Sequence, residues 1–289
     1  MLGSDLFAHF KERYGAEKVI GTDYDTLDIT NATAVEEYIG RLRPSWIVNA
    51  AAYTDVDKAE TERELALALN ATGPKVLANA AKRFDARFVH FSTEYVFNGE
   101  STRPWTEEDI PNPAQPNHYA ETKLLGERAA LAYEGSLLLR VQWLYGEKRD
   151  RFTPLRTKAV FTPFIDQLGA PTWTREVAKT VSLLMDKGAS GLFHYAYDDS
   201  ASWFEVYELV KSELGLSTEL IPKRSSEVKL PAKRPLYGVM SNRKLCAYLG
   251  VAGLGSWKKP FKEFLEMRKD VAIPLVAPEK GAAIPAERT

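Results

Sequence analysis

Short β-branched and aromatic runs alternate with longer amphipathic stretches through the first half of the chain. The pattern predicts a helix after Gly3, a strand over Lys18 to Thr22 and a helix over Ala34 to Leu42. It continues with a strand over Trp46 to Ala50, a helix over Glu62 to Phe84 and a strand over Phe88 to Ser92. The runs Trp46-Ile47-Val48-Asn49-Ala50 and Phe88-Val89-His90-Phe91-Ser92 are apolar on both faces, as strands covered by helices on two sides should be. A helix beginning near Tyr119 and a buried strand over Ser136 to Val141 extend the series. This rhythm predicts an α/β protein with a doubly wound parallel sheet. From about Phe152 the alternation weakens. Arg175 to Lys187 reads as a helix, Gly191 to Tyr197 as a strand, and Trp203 to Leu214 as a helix with Ser202 as its N-cap. These pieces predict a smaller C-terminal lobe. The expected divisions are residues 1–150 for the main domain, 151–270 mainly for the lobe, with some segments returning to the sheet, and 271–289 for a flexible tail rich in Ala and Pro.

Composition narrows this picture only modestly. The 289 residues are 45% hydrophobic and 27% charged, with a formal net charge of -1, so a large core is available and nothing in the balance points to a nucleic acid. The single cysteine, Cys246, excludes an internal disulfide framework and fits a reducing cytoplasm. No apolar run approaches the ~20 residues that span a bilayer, and no signal-peptide pattern opens the chain. A cytoplasmic protein without a membrane partner is therefore expected. His9, His90, His118 and His194 show no ligand spacing, and no metal is predicted. Asp5 reads as a first-turn acid that complements the helix dipole, and His118, beside Tyr119, as a solvent-facing loop residue with contact to substrate as the alternative.

Candidate chemistry centres on Tyr119-Ala120-Glu121-Thr122-Lys123. On a helix this spacing sets a phenol and an ammonium on one face, where the cation stabilises the phenolate and makes the phenol a useful acid or base. The spacing alone is weak, since an exposed Tyr and Lys meet at it by chance. Context strengthens it: Ser92 and Thr93 close a parallel strand at its carboxyl end, where open α/β sheets build their sites, and the Thr93 hydroxyl can bond a substrate carbonyl. Capping or turn chemistry is the plainer use of the same hydroxyls. Asn49-Ala50-Ala51-Ala52-Tyr53 closes the preceding strand with small residues that admit a ligand or a packed helix. Asp23, twenty residues after Gly3, stands where an acid accepts the adenosine ribose hydroxyl of NADH, with an exposed loop Asp as the alternative.

Several motifs in order carry a resemblance: Asn49-Ala50-Ala51-Ala52-Tyr53-Thr54, Val56-Asp57-Lys58-Ala59-Glu60, Ser92-Thr93-Glu94-Tyr95-Val96-Phe97, Tyr119 to Lys123, Arg140 with Trp143, Asp166-Gln167 with Gly169-Ala170-Pro171-Thr172, and Arg234-Pro235. Over Leu2 to Arg268 the chain resembles the extended short-chain dehydrogenase/reductases, and within them the dTDP-4-dehydrorhamnose reductase family. The resemblance implies a Rossmann-like fold and reduction of a dTDP-sugar by NADPH or NADH. It implies Tyr119 as proton donor to a C4 keto oxygen, Lys123 as its modulator and Thr93 as carbonyl ligand. Ala50, Ala51 and Tyr53 would line the cofactor, with Asp28 and Ile29 near its adenine side. Trp143 and Arg234, with Glu94 and Tyr95, would belong to the substrate side. A homodimer is compatible with it.

The chain also departs from the family pattern. Of the Gly-x-x-Gly-x-x-Gly turn only the last glycine, Gly3, is matched, and the first strand is missing. Two expectations follow: a true start roughly ten residues upstream, by comparison with the fingerprint, or a damaged or non-catalytic form, such as a regulatory subunit resembling the methionine adenosyltransferase β subunit. A nucleotide-sugar epimerase or dehydratase would share the Tyr and Lys. Glu94 replaces the usual aspartate, and Val141-Gln142 the usual Thr-Ser.

Overall fold

The computed structural model describes residues 1–148, 150 and 152–269. Among them, four parallel strands form the main sheet in the order β1 (Trp46–Asn49), β2 (Arg87–Thr93), β3 (Ser136–Val141) and β4 (Gly191–His194). The register pairs Val48 with Val89, Val89 with Leu137 and Leu139 with Phe193. The helices are α1 (Leu2–Tyr14), α2 (Ala32–Leu42), α3 (Arg63–Leu67), α4 (Gly73–Arg83), α5 (His118–Leu131), α6 (Thr174–Asp186), α7 (Trp203–Leu214), α8 (Arg243–Leu249) and α9 (Lys258–Arg268). Among the described residues none is long and apolar enough to cross a membrane.

Alternating side chains divide the strands between two layers. Ile47, Phe88 and Leu138 join Val35 and Ile39 of α2 and Leu77 and Ala81 of α4 on one face. Val89, Leu137, Leu139 and Phe193 join Leu6 and Phe10 of α1 and Val177 and Val181 of α6 on the other. Helices thus cover both faces, and the sheet is doubly wound and Rossmann-like.

The predicted helix over Glu62 to Phe84 forms, interrupted by a π-helical turn at Ala68–Thr72. Pro74 has no N–H for the Asn70 carbonyl four residues back, so a regular ladder cannot continue there. Within that turn the Asn70 amide faces inward, accepting from the Tyr53 N–H at 2.9 Å and donating to Thr122 Oγ1 at 3.1 Å. Gly126 of α5 passes so close that a Cβ at that position would lie 2.0 Å from the Asn70 carbonyl oxygen.

Two predicted strands change. Lys18 to Thr22 does not form a strand: Ala16–Lys18 is a 3₁₀ turn and Ile20 is 60% exposed. An extended segment is stable only when a neighbour pairs its N–H and C=O groups, and among the described residues β1 is an edge strand bonded to β2 alone. The strand from Gly191 ends at His194, with the Tyr195 N–H still bonding the Arg140 carbonyl at 2.9 Å.

Ser202 caps α7 as expected, in a reciprocal capping box with Glu205. After β3, short ladders such as Leu168–Gly169 against Ala201–Ser202 appear in the C-terminal region. Tyr145, Phe152, Trp173, Phe261 and Phe264 interlock edge to face and belong to the same core cluster as Leu6 and Val89. The expected tail over 271–289 lies outside the described residues.

Candidate active site

The carboxyl end of β2 runs through Thr93 into a 3₁₀ turn, Glu94–Val96. Thr93 Oγ1 donates to Glu94 Oε2 at 2.8 Å and accepts from the Tyr95 N–H at 3.2 Å. Glu94 is only 3% exposed. Its added methylene lies where Gly238 leaves room, since a Cβ at 238 would sit 3.1 Å from Glu94 Cγ.

Tyr119 occupies the first turn of α5. That turn is held from three sides: Asn117 accepts from the Ala120 N–H at 2.9 Å, Asn117 Nδ2 donates to the Lys233 carbonyl at 2.7 Å, and Glu60 Oε1 accepts from the His118 N–H at 2.6 Å. Two acceptors on otherwise unpaired helix N–H groups fix the start of the helix. The Tyr119 ring meets Tyr95 edge to face, centroids 5.6 Å apart. One turn on, Lys123 is 4% exposed and its ammonium donates to the Phe91 carbonyl of β2 at 2.6 Å. Burial lowers its pKa to about 8, opposed by the Glu127 carboxylate. The ammonium therefore sits beside the strand end that carries Thr93. His118 differs from expectation: it is the buried first residue of α5, and its ring bonds Glu121 and the Arg63 carbonyl.

At the end of β1, Asn49 Oδ1 accepts from the Ala51 N–H at 3.0 Å and Asn49 Nδ2 donates to His90 Nδ1 at 3.2 Å. Gly3, in the first turn of α1, packs here. A Cβ on Gly3 would lie 3.3 Å from the Ala50 Cβ. The Ser4 and Asp5 N–H groups bond the Met1 carbonyl, so the Leu2 and Gly3 N–H groups are the ones that open α1 beside Ala50 without a backbone acceptor among the described residues. The Tyr53 hydroxyl donates to Glu62 at 2.8 Å, and burial together with that carboxylate pushes its pKa up to about 12. Asp28 Oδ1 accepts from the Thr30 N–H and hydroxyl, and Ile29 fills space beside Gly73. Asp23 stands apart on an exposed turn, with local bonds to Thr26.

The register pairing Thr93 with Val141 brings Trp143 to the same edge of the sheet. Trp143 has φ +42°, costly for a bulky side chain. Its indole stacks on Trp203 with centroids 3.9 Å apart, in space that Gly169 leaves open. Trp203 was not singled out by sequence; an aromatic directly after the Ser202 cap was its only signal. Arg234 forms a two-pronged pair with Asp57, at 2.6 and 2.7 Å, tying a lobe loop to the loop after β1. Burial works against the Arg234 charge, but Asp57 and the nearby Tyr95 outweigh it and raise the pKa. Asp5 accepts from the Thr174 hydroxyl. Among the described residues no group of three or more His, Cys, Asp or Glu is placed to hold a metal ion.

The structure therefore gathers Thr93, Glu94, Tyr95, Tyr119 and Lys123 at the end of β2, with Gly3, Ala50 and Ala51 at the end of β1. Trp143 and Arg234 reach this edge from β3 and the lobe, whereas Asp23 lies outside the cluster. Also brought together, and absent from the sequence reading as a group, are Glu127, Arg140 and His194.

The family model for the RmlD substrate binding domain matches residues 1–269. A dTDP-4-dehydrorhamnose reductase of Mycobacterium tuberculosis (strain H37Rv) is 34% identical, covering 98% of this chain and 92% of the relative. The spore coat polysaccharide biosynthesis protein SpsK of Bacillus subtilis is 32% identical, covering 92% and 94%. Among solved structures, a dTDP-4-dehydrorhamnose reductase from Clostridium acetobutylicum superposes with a TM-score of 0.87 at 34% identity, covering 92% of this chain and 95% of that one. The Bacillus anthracis enzyme of the same name, in complex with NADP, gives a TM-score of 0.84 at 28% identity, covering 91% and 95%.

Proposed function

Because the chain belongs to the RmlD substrate binding domain family, we propose that it is an NADPH-dependent reductase of the 4-keto group of a dTDP-deoxysugar, dTDP-4-dehydrorhamnose or a close relative, in polysaccharide biosynthesis. The observation that carries this reading is the buried Lys123 on the helix face of Tyr119, directed at the strand end that bears Thr93. The residues present fit a dinucleotide. Gly3 lets the start of α1 approach Ala50 closely, and the Leu2 and Gly3 N–H groups there suit a diphosphate. Ala51 and Tyr53 lie alongside, and Asp28 and Ile29 serve the adenine side. NADP in the Bacillus anthracis relative supports NADPH over NADH. When bound, the reduced cofactor supplies the hydride for C4 of the sugar.

Tyr119 gives its phenolic proton to the O4 atom that the reduction leaves negatively charged. The Lys123 ammonium stabilises the resulting phenolate. Thr93 holds the carbonyl oxygen, for which the substrate must compete with Glu94, the acceptor of the same hydroxyl proton. Trp143 supplies an apolar wall for the nucleotide sugar and Arg234 a cation. A cytoplasmic location goes with this reading and is supported by the lone, unpaired Cys246.

The test is direct. Protein mixed with dTDP-4-keto-6-deoxy-L-lyxo-hexulose and NADPH or NADH should oxidise the cofactor at 340 nm in a substrate-dependent way. Tyr119→Phe should lose turnover by about 100-fold or more while folding normally. No substrate-dependent oxidation with either cofactor would overturn the reading.

A further inference from the structure

The face of α5 that bears Tyr119 and Lys123 carries a third ionisable group one turn further on. Glu127 is 3% exposed and lies against Arg140 of β3, itself 1% exposed. Arg140 Nε donates to Glu127 Oε2 at 3.0 Å, and Nη2 donates to the other carboxylate oxygen. The remaining arm, Nη1, lies 3.1 Å from His194 Nε2, and the guanidinium stacks over Phe97 at 4.9 Å. His194 Nδ1 lies 3.2 Å from the Trp105 carbonyl, so a proton on Nδ1 leaves Nε2 free to accept from Arg140. The pair is thus fixed on every side inside the protein. Buried ion pairs of this kind are seldom the cheapest way to stabilise a core, because apolar residues of equal volume do as well or better.

We infer that Glu127, clamped by Arg140, is a positioning residue for the proposed reaction: it keeps cationic the Lys123 that the Phe91 carbonyl directs at the end of β2. The inference rests on the reading of Tyr119 and Lys123 as the proton-transfer pair. A buried ammonium sheds its proton unless a counter-charge is near. Glu127, one turn further along the same helix, is the group whose charge opposes the burial of Lys123, and the titratable and charged groups on the elements packed around α5 do not supply another such counter-charge. Tyr119 precedes Lys123 on α5. From β2 come His90, neutral through burial and the charge of Lys123 itself, and Glu94, bonded by Thr93. From β3 comes Arg140, a second cation, and from β4 His194, neutral because burial and Arg140 lower its pKa to about 3. Further out, Glu107 accepts from the His194 N–H, Asp109 is held by Arg103, and Lys244 lies over Phe193. With Glu127 neutralised, Lys123 would lose the carboxylate that opposes its burial and Arg140 the carboxylate it bonds.

The experiment compares wild type, Glu127→Asp and Glu127→Gln. The alkaline limb of the kcat profile should move to lower pH by about one unit in the Gln variant, with Asp between it and wild type. A residue that merely packs would lower activity without moving this limb. Nitrogen-15 NMR of the lysine ammonium groups, with Lys123→Met for assignment, follows the same titration in protein that turns nothing over. It therefore separates failure of this inference from failure of the proposed substrate. A falling Lys123 midpoint in the order wild type, Asp, Gln supports the role. Should the Gln variant fail to fold, the Asp variant decides alone, and a midpoint equal to wild type overturns the inference.

Discussion

His90 and His194 are 1% and 0% exposed, and each is kept neutral. Burial is the larger cause in both, with Lys123 adding to it at His90 and Arg140 at His194. Their folded pKa values lie below the ordinary 6.5, so the unfolded chain binds more protons in the interval between. Stability from these residues is complete above pH 6.5 and falls as pH drops toward the folded value, about 3 for His194. Each contributes a slope of up to about 1.4 kcal/mol per pH unit in that window. Urea unfolding at pH 7 and pH 5 should show the loss, and His194→Gln should flatten it; an unchanged slope would contradict the assignment. At this scale Tyr119, Lys123 and Thr93 were legible because their grouping follows from helical spacing and the end of a strand. Glu127 was not, since its meaning comes from Arg140 and His194, which arrive from two other strands. His118 was misread because its cover, Glu60 and Arg63, comes from a distant loop and helix.

Among elements, the contact of α5 with the π-turn before α4 sets the depth at which Lys123 enters the sheet. Pro74 leaves the Asn70 carbonyl without its helical donor, and Gly126 brings the α5 backbone against that oxygen. Because the obstacle is backbone on a buried rod, Gly126→Ala should destabilise the fold by about 3 kcal/mol. Chemical denaturation measures it, and a variant as stable as wild type would show that α5 has freedom to shift. The strands over Trp46 to Ala50, Phe88 to Ser92 and Ser136 to Val141 were readable because two-sided burial demands continuous apolar runs. Lys18 to Thr22 has strand-like residues too, but pairing is a property of its neighbour and is invisible in local composition. The π-turn was equally hidden, as it answers a missing donor rather than a hydrophobic period.

Across the whole molecule, the Asp57–Arg234 pair joins the loop after β1 to the lobe, with Asp57 also accepting from the Ala232 N–H at 3.2 Å. It bridges the two sides of the site. Removing either partner should therefore raise KM for the nucleotide sugar, and the double variant Asp57→Ala with Arg234→Ala should fall short of the summed losses by about 1 kcal/mol in kcat/KM. Strict additivity in steady-state kinetics would show that the two act separately. The change near Phe152 from regular alternation to short runs was legible in the sequence, but the core shared across it was not, because Tyr145, Trp173 and Phe264 meet only after folding. That shared core bears on how such chains can be recombined. A crossover at residue 150 would leave Tyr145 with one parent and Phe152, Trp173, Phe261 and Phe264 with the other, dividing one set of interlocked rings between two histories. The lobe is therefore no exchangeable cassette: a grafted lobe must bring Tyr145 and the inner face of α1 with it.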